Sequence, residues 1–122
     1  LKIAIDADAE SYNSVMKAYK SGRDTTDQAS ADAAIDAALK QATSIPLGVA
    51  EKAYEIAQIT KSFEPITNPN MKSDLTTASA LAGAALSGAL ANVEINLESL
   101  KDDGFVAQTR QKLSAMTQSA TP

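Results

Sequence analysis

Asp8 occupies a position that helical spacing reserves for an apolar side chain. Leu1, Ile5, Tyr12, Val15, Met16 and Tyr19 recur at steps of three and four, and position 8 is the missing step. A carboxylate facing a core costs several kcal/mol unless it is paired or hydrogen-bonded, and desolvation raises its pKa. Two readings follow. The carboxylate is tied structurally to a helix N-terminus or an arginine, or it is a general acid or base held near neutrality. A second departure lies further on, where Ala78, Ala82, Ala85 and Ala89 form a seam of small residues that continues through Asn92 and Asn96. Asparagine is a poor residue for a helix interior, so this pair either cross-links neighbouring helices through amide hydrogen bonds or orients a polar ligand. A third cluster is Asn68-Pro69-Asn70-Met71-Lys72-Ser73-Asp74, which brings polar groups to a helix N-terminus. Such a place suits anions, although an ordinary cap already accounts for Ser73 and in part for Asp74.

Composition narrows the chemistry. The chain has no histidine and no cysteine, which removes the usual general base, thiolate metal sites, disulfides and serine–histidine triads. Carboxylates, amides, hydroxyls, lysine, arginine and tyrosine remain, and no metal site is expected. A net charge of −4 argues against non-specific nucleic-acid binding. The absence of a signal-peptide pattern and of cysteine points to the cytoplasm or an organelle matrix.

The elements that must position these groups are all helical. Leu1 to about Lys20 forms the first helix, stopped near Gly22. Thr25 and Gln28 read as a capping box for a second helix. Pro46 kinks or restarts it with Ser44 as cap, and it runs to about Phe63. The proline- and asparagine-rich stretch from Glu64 to Met71 is a loop, and Ser73 caps a third helix running to about Lys101. Gly104 breaks it, and a last helix from Phe105 to about Thr117 places Val106, Thr109, Leu113 and Met116 on one face, with a frayed end beyond.

The stretch from Leu75 to Val93 has no charged residue and approaches a bilayer span in length. Its Thr76, Thr77, Ser79, Ser87 and many alanines favour a buried helix of a soluble protein instead. Apolar residues make up 44% of the 122 residues but aromatic ones only 4%, much of the rest being alanine. Alanine buries little area, so helices must approach closely, and Gly83 and Gly88 help the third helix do so. The expected architecture is all-α, one domain over residues 1–122, with long antiparallel helices packed through small-residue seams. So thin a core calls for a second copy or another polypeptide.

Taken in order, these residues resemble a known family. The stretch Ile5-Asp6-Ala7-Asp8-Ala9-Glu10-Ser11-Tyr12 is followed by Ser44-Ile45-Pro46-Leu47 and by Asn68 with Ser73-Asp74-Leu75. Gly88-Ala89 then leads to Asn92-Val93-Glu94-Ile95-Asn96-Leu97. The pattern is similar to the formiminotransferase-cyclodeaminase C-terminal family, which includes folate cyclodeaminases and methenyl-tetrahydrofolate cyclohydrolases. The resemblance implies an all-helical, dimerising fold that binds a tetrahydrofolate derivative as substrate, with no permanently bound cofactor and no membrane or nucleic-acid partner. It aligns the family's catalytic aspartate with Asp8. It also implies cationic residues near the mouth of a cleft for the folate carboxylates, with Lys20 at a family-like lysine position and Arg23 and Lys72 as further candidates. Asn68, Ser73, Asp74, Asn92 and Asn96 would bind or orient the substrate.

Departures are equally specific. Lys20-Ser21-Gly22-Arg23 stands where the family has Lys-Leu-Pro-Lys, Ala29-Ser30-Ala31 replaces an arginine, and Thr67 replaces a glycine. The family's glycine-rich N-terminal turn and its helices are not represented, so residues 1–122 are expected to be the C-terminal portion of such a domain: a fragment, a chain whose missing helices a second polypeptide supplies, or a degenerate relative without catalysis, with a homodimer also expected. Two functions are carried forward: a folate cyclodeaminase or cyclohydrolase using Asp8 as acid/base, or a catalytically inactive structural or regulatory subunit with the same fold.

Overall fold

Alanine and unbranched side chains favour helix, and the described residues, 2–120 of this computed structural model, fold into four helices with a single 3-10 turn between the second and third. Leu1, which heads the first apolar stripe, lies outside the described residues, as do Thr121 and Pro122. Helix α1 spans Lys2–Arg23, passing through Gly22, with Lys20 and Arg23 in a last turn whose negative dipole end they suit. Helix α2 spans Gln28–Phe63. Its cap is Asp27, not the expected Thr25. The Asp27 carboxylate accepts from the Ser30 backbone N–H at 3.1 Å and its hydroxyl at 2.7 Å, while Thr25 accepts from the Asp27 N–H. Aspartate outranks threonine at this position.

The break expected at Pro46 is absent, and α2 is continuous through it. Ser44 does not cap a new helix; its hydroxyl donates to the Gln41 carbonyl at 2.7 Å. An interior proline costs about 3 kcal/mol or more, and packing offsets this cost because Leu39, Ala42, Thr43, Pro46 and Ala50 are all buried. Asn68 caps the 3-10 turn Pro69–Met71 by accepting from the Asn70 N–H at 3.0 Å. Helix α3 (Lys72–Glu98) then starts without a side-chain cap, so Ser73 is not the cap that its sequence position suggests, whereas Asp74 does occupy the first turn. Helix α4 spans Asp103–Ala120, starting before Gly104, and Asp102 accepts from the Phe105 N–H at 2.9 Å.

Helix α2 is the hub. Helices α1 and α3 both pack on it and not on each other, and α4 lies against α2 and α3. The end of α1 meets the start of α2 so closely that a Cβ on Gly22 would stand 3.3 Å from the Ala31 Cβ. Small residues permit this contact along the whole of α1, where Ala4, Ala7, Ser11, Val15, Ala18 and Gly22 form the covered or half-covered line. On α3 the buried line is Ala82, Leu86, Ala89, Val93 and Leu97. The alanine–asparagine seam read from the sequence is therefore split, with Ala78, Ala85 and Asn92 exposed and Asn96 half-buried. The helix is rolled so that leucine and valine, which gain most from burial, face α2 and α4. Gly83 and Gly88 have no neighbour near a would-be Cβ, so neither mediates helix approach within the chain. The α4 face read from the sequence does pack: Thr109, Leu113 and Met116 are buried and Val106 is half-buried. Among the described residues, the segment Pro69–Glu98 is the one helical stretch long and apolar enough to cross a membrane by length and composition.

Three of the polar groups inside this packing bond to their own helices. The Thr43 and Thr60 hydroxyls donate to the Leu39 and Ile56 carbonyls at 2.7 and 2.6 Å, and Ser11 donates to the Asp8 carbonyl at 2.8 Å. Leu97→Ala, at 2% exposure, is expected to lower unfolding free energy by about 2–5 kcal/mol. Gly83→Ala, on an open helical surface, should raise it by about 0.5–1 kcal/mol. Urea denaturation of the two variants checks both signs.

Candidate functional site

The stripe holding Asp8 is the one that α2 leaves uncovered. Ile5, Tyr12, Met16 and Tyr19 are 72%, 64%, 49% and 37% exposed. Asp8 is likewise exposed, so the expectation that it faces the core of its own chain is corrected. The larger side chains lie on one stripe of α1 and the smaller ones on another, and α2 docks on the smaller because the backbones can then come closer. Among the described residues Asp8 joins no ion pair; its carbonyl serves Ser11 and its side chain is exposed.

The remaining predicted residues fall into separate places. Lys20 is exposed on the last turn of α1, twelve residues beyond Asp8, or about 18 Å along the axis at the α-helical rise. Asn68, Ser73 and Asp74 cluster around the start of α3 and are all exposed; the Ser73 carbonyl accepts from the Thr77 hydroxyl at 2.9 Å. Asn92 and Asn96 sit one turn apart near the end of α3, where the Asn96 carbonyl accepts from the Ser99 N–H at 3.3 Å. Because α1 and α3 do not touch, one chain does not bring Asp8 together with these amides.

Two clefts open beside α1. The first, about 440 Å³, lies where the end of α1, the start of α2 and the α3–α4 link converge, and is lined by Tyr19, Arg23, Gln28, Asp32, Asp36 and Lys101 among others. The second, about 510 Å³, is a shallow alanine-walled groove between α1 and α2 that includes Ser14 and Lys17. Of the cationic candidates, Arg23 reaches a cleft; Lys20 and Lys72 line neither. Among the described residues no group of three acidic side chains is placed to hold a metal ion.

Asp32, Asp36 and Lys101 went unmarked in the sequence, although two aspartates four apart on a helix are a visible signal. Lys101 donates from its backbone to Asp36 at 3.0 Å and from its ammonium to Asp32 at 2.6 Å. Alongside, Lys40 pairs with Asp102 at 2.5 Å and lies 5.5 Å from the Phe105 ring centroid. The hydrogen bond from Lys101 holds the Asp32 carboxyl below the usual carboxylate range, and that from Lys40 does the same for Asp102. The Asp32 bond in turn raises the Lys101 ammonium. Arg110 of α4 pairs with Glu94 of α3.

The fold and its side chains define a helical chain whose functional groups are carboxylates, amides and ammonium groups on helix faces. The family model for formiminotransferase-cyclodeaminase matches residues 1–115, and the chain belongs to that family. It is 35% identical over 117 residues to formimidoyltransferase-cyclodeaminase of Sus scrofa, a match covering 95% of this chain and 22% of that protein. The corresponding protein of Gallus gallus is 30% identical over the same shares. Methenyltetrahydrofolate cyclohydrolase of Methylorubrum extorquens is 32% identical over 110 residues, covering 89% of this chain and 53% of that protein. The chain thus spans about a fifth of the bifunctional relatives and about half of the cyclohydrolase.

The Lys101–Asp32 pair has a defined pH window. A depressed aspartate contributes stability that is present above the ordinary carboxylate range, about pH 4, and is lost as pH falls through its folded value. A raised lysine contributes stability that is present below about pH 10 and is lost as pH rises through its folded value. The melting-temperature difference between the protein and Lys101→Met should therefore be largest between these limits. It should shrink on both sides and be reduced by high salt, because the pair is partly exposed. Thermal melts across pH at two ionic strengths check this.

Proposed function

We propose that this chain is part of a folate one-carbon enzyme, a formimino-tetrahydrofolate cyclodeaminase or a methenyl-tetrahydrofolate cyclohydrolase, with Asp8 as its acid/base. The observation that carries the reading is the family match over residues 1–115, joined to an exposed Asp8 that pairs with no cation among the described residues. In the cyclodeaminase reaction the side-chain amine nitrogen, losing its proton, attacks the formimino carbon held by the pterin ring nitrogen; the new carbon–nitrogen bond gives a tetrahedral carbon, and its bond to the amino group breaks as that group takes a proton and leaves as ammonia. In the cyclohydrolase reaction water adds to the cationic methenyl bridge, loses a proton, and the ring opens by breaking a carbon–nitrogen bond. Both steps need one group that takes and returns a proton beside a positively charged carbon, and a single carboxylate meets both needs.

Lys20 would hold a folate carboxylate, with Arg23 beside the first cleft as a second cation. Asn92 and Asn96 would orient the ring system, and Asn68, Ser73 and Asp74 would supply further polar contacts at the start of α3. In this reading the helices run antiparallel, the residues form one domain, and a dimer or a second chain completes the site. The separation of Asp8 from the α3 amides within one chain favours a second reading, that of a structural or regulatory subunit without turnover.

The two readings separate in an absorbance assay with methenyl- or formimino-tetrahydrofolate. Turnover by the assembled protein, falling about 10²- to 10⁴-fold in kcat in Asp8→Asn with a much smaller change in KM, is the expected result. Undiminished turnover in Asp8→Asn would remove the aspartate's role, and an inert assembly would leave the subunit reading.

A further inference from the structure

The first cleft is remote from Asp8. Arg23, which lines it, stands fifteen residues further along α1, or about 22 Å at the α-helical rise. Its volume of about 440 Å³ is that of a small-molecule site, and three elements distant in sequence wall it. Ile35, Tyr19 and Gly22 give it apolar surface. Gly22 keeps that surface open, since a Cβ there would stand 3.5 Å from the Ile35 Cδ1.

Four charged groups line the cleft, two of each sign, and they are unequally committed. One oxygen of Asp32 accepts from the Gln28 amide at 3.1 Å and the other from the Lys101 ammonium at 2.6 Å, which ties up both charges. Asp36 instead accepts from the Lys101 backbone N–H at 3.0 Å, a neutral donor on one of its oxygens. The Lys101 ammonium feels the Asp36 charge but bonds Asp32. Arg23 joins no ion pair among the described residues. One guanidinium and one carboxylate therefore stand on different walls of the same cleft, too far apart to pair with each other. Asp36 is half-buried and anchored, so solvent screens it less than a free surface carboxylate, while Arg23 is exposed.

A ligand that answers both groups carries a carboxylate and an ammonium close together. An α-amino acid has both on one carbon, and its side chain would lie against Ile35 and Tyr19. That side chain is neutral, because the other two charges of the cleft already cancel. An acylated glutamate such as the tail of a folate offers carboxylates to Arg23, but its amide nitrogen brings no charge to Asp36.

We infer that the first cleft binds a free α-amino acid with a neutral side chain, its carboxylate on Arg23 and its ammonium on Asp36. The inference stands apart from the folate reading.

Isothermal titration of the full-length protein with L-leucine should give saturable binding. N-acetyl-L-leucine lacks the ammonium and L-leucinamide lacks the carboxylate, so each should bind about tenfold or more weakly, the loss of one charge-assisted bond. Arg23→Gln should weaken leucine by a similar factor and leave leucinamide unchanged. Asp36→Asn should weaken leucine and leave N-acetyl-leucine unchanged. The asparagine keeps an oxygen for the Lys101 N–H, and circular dichroism establishes that both variants remain helical. No saturable binding of leucine at about 10 mM, where even a millimolar site is nearly filled, would overturn the inference. So would blocked forms that bind as well as leucine. Equally tight binding of N-acetyl-L-glutamate would also overturn it, in favour of a site for acylated glutamates. Leucine binding by a protein that turns over no folate would sink the folate reading and leave this site standing.

Discussion

Alanine limits what each helix of this protein can bury, and the rest of the structure follows from that limit. A side chain of one carbon contributes little transfer free energy, so contact must come from backbones lying close together. Helix α1 meets the limit with a line of small residues ending at Gly22, where an added Cβ would crowd Ala31. Helix α3 meets it differently, turning Leu86, Val93 and Leu97 inward and leaving most of its alanines outside. Helix α2 serves both neighbours, which is why it runs unbroken through Pro46.

That economy has a consequence for the surface. A helix that docks through its small residues leaves its large ones facing out, and α1 does so with Ile5, Tyr12, Met16 and Tyr19. The sole acid on that stripe is Asp8. Its neighbours, rather than its own burial, set its chemical character, because a carboxylate on an open face gains strength only when another surface excludes water around it. The charged cluster of Lys101, Asp32 and Asp36 belongs to a different task. It fastens the α3–α4 link to α2 and walls the first cleft.

Periodicity made the helices and the family legible but not which face each helix would bury. Both stripes of α1 repeat at helical spacing, and hydropathy ranks the larger one as core, whereas docking within the chain follows closeness of approach. The same bias misplaced the seam of α3, where alanine and asparagine at regular steps looked like one packing line. Local rules also lost where tertiary contacts were stronger. Pro46 is held inside a helix by buried neighbours, and the cap fell to Asp27 because it bonds Ser30 twice. Lys101 and its aspartates lie more than sixty residues apart in sequence, beyond any local pattern. Asn68, placed in a loop by its neighbouring prolines, instead caps the 3-10 turn by accepting from the Asn70 N–H two residues on.

The candidate groups lie on helices that do not touch within one chain, so no pre-formed pocket gathers them. Asp8 is exposed on the face of α1 that α2 leaves uncovered, so its own chain does not bury it. The apolar residues flanking it, Tyr12 and Met16 among them, are exposed with it. A stripe that is apolar except at one carboxylate is a poor free surface, since exposure of this much apolar area gains nothing for a lone chain.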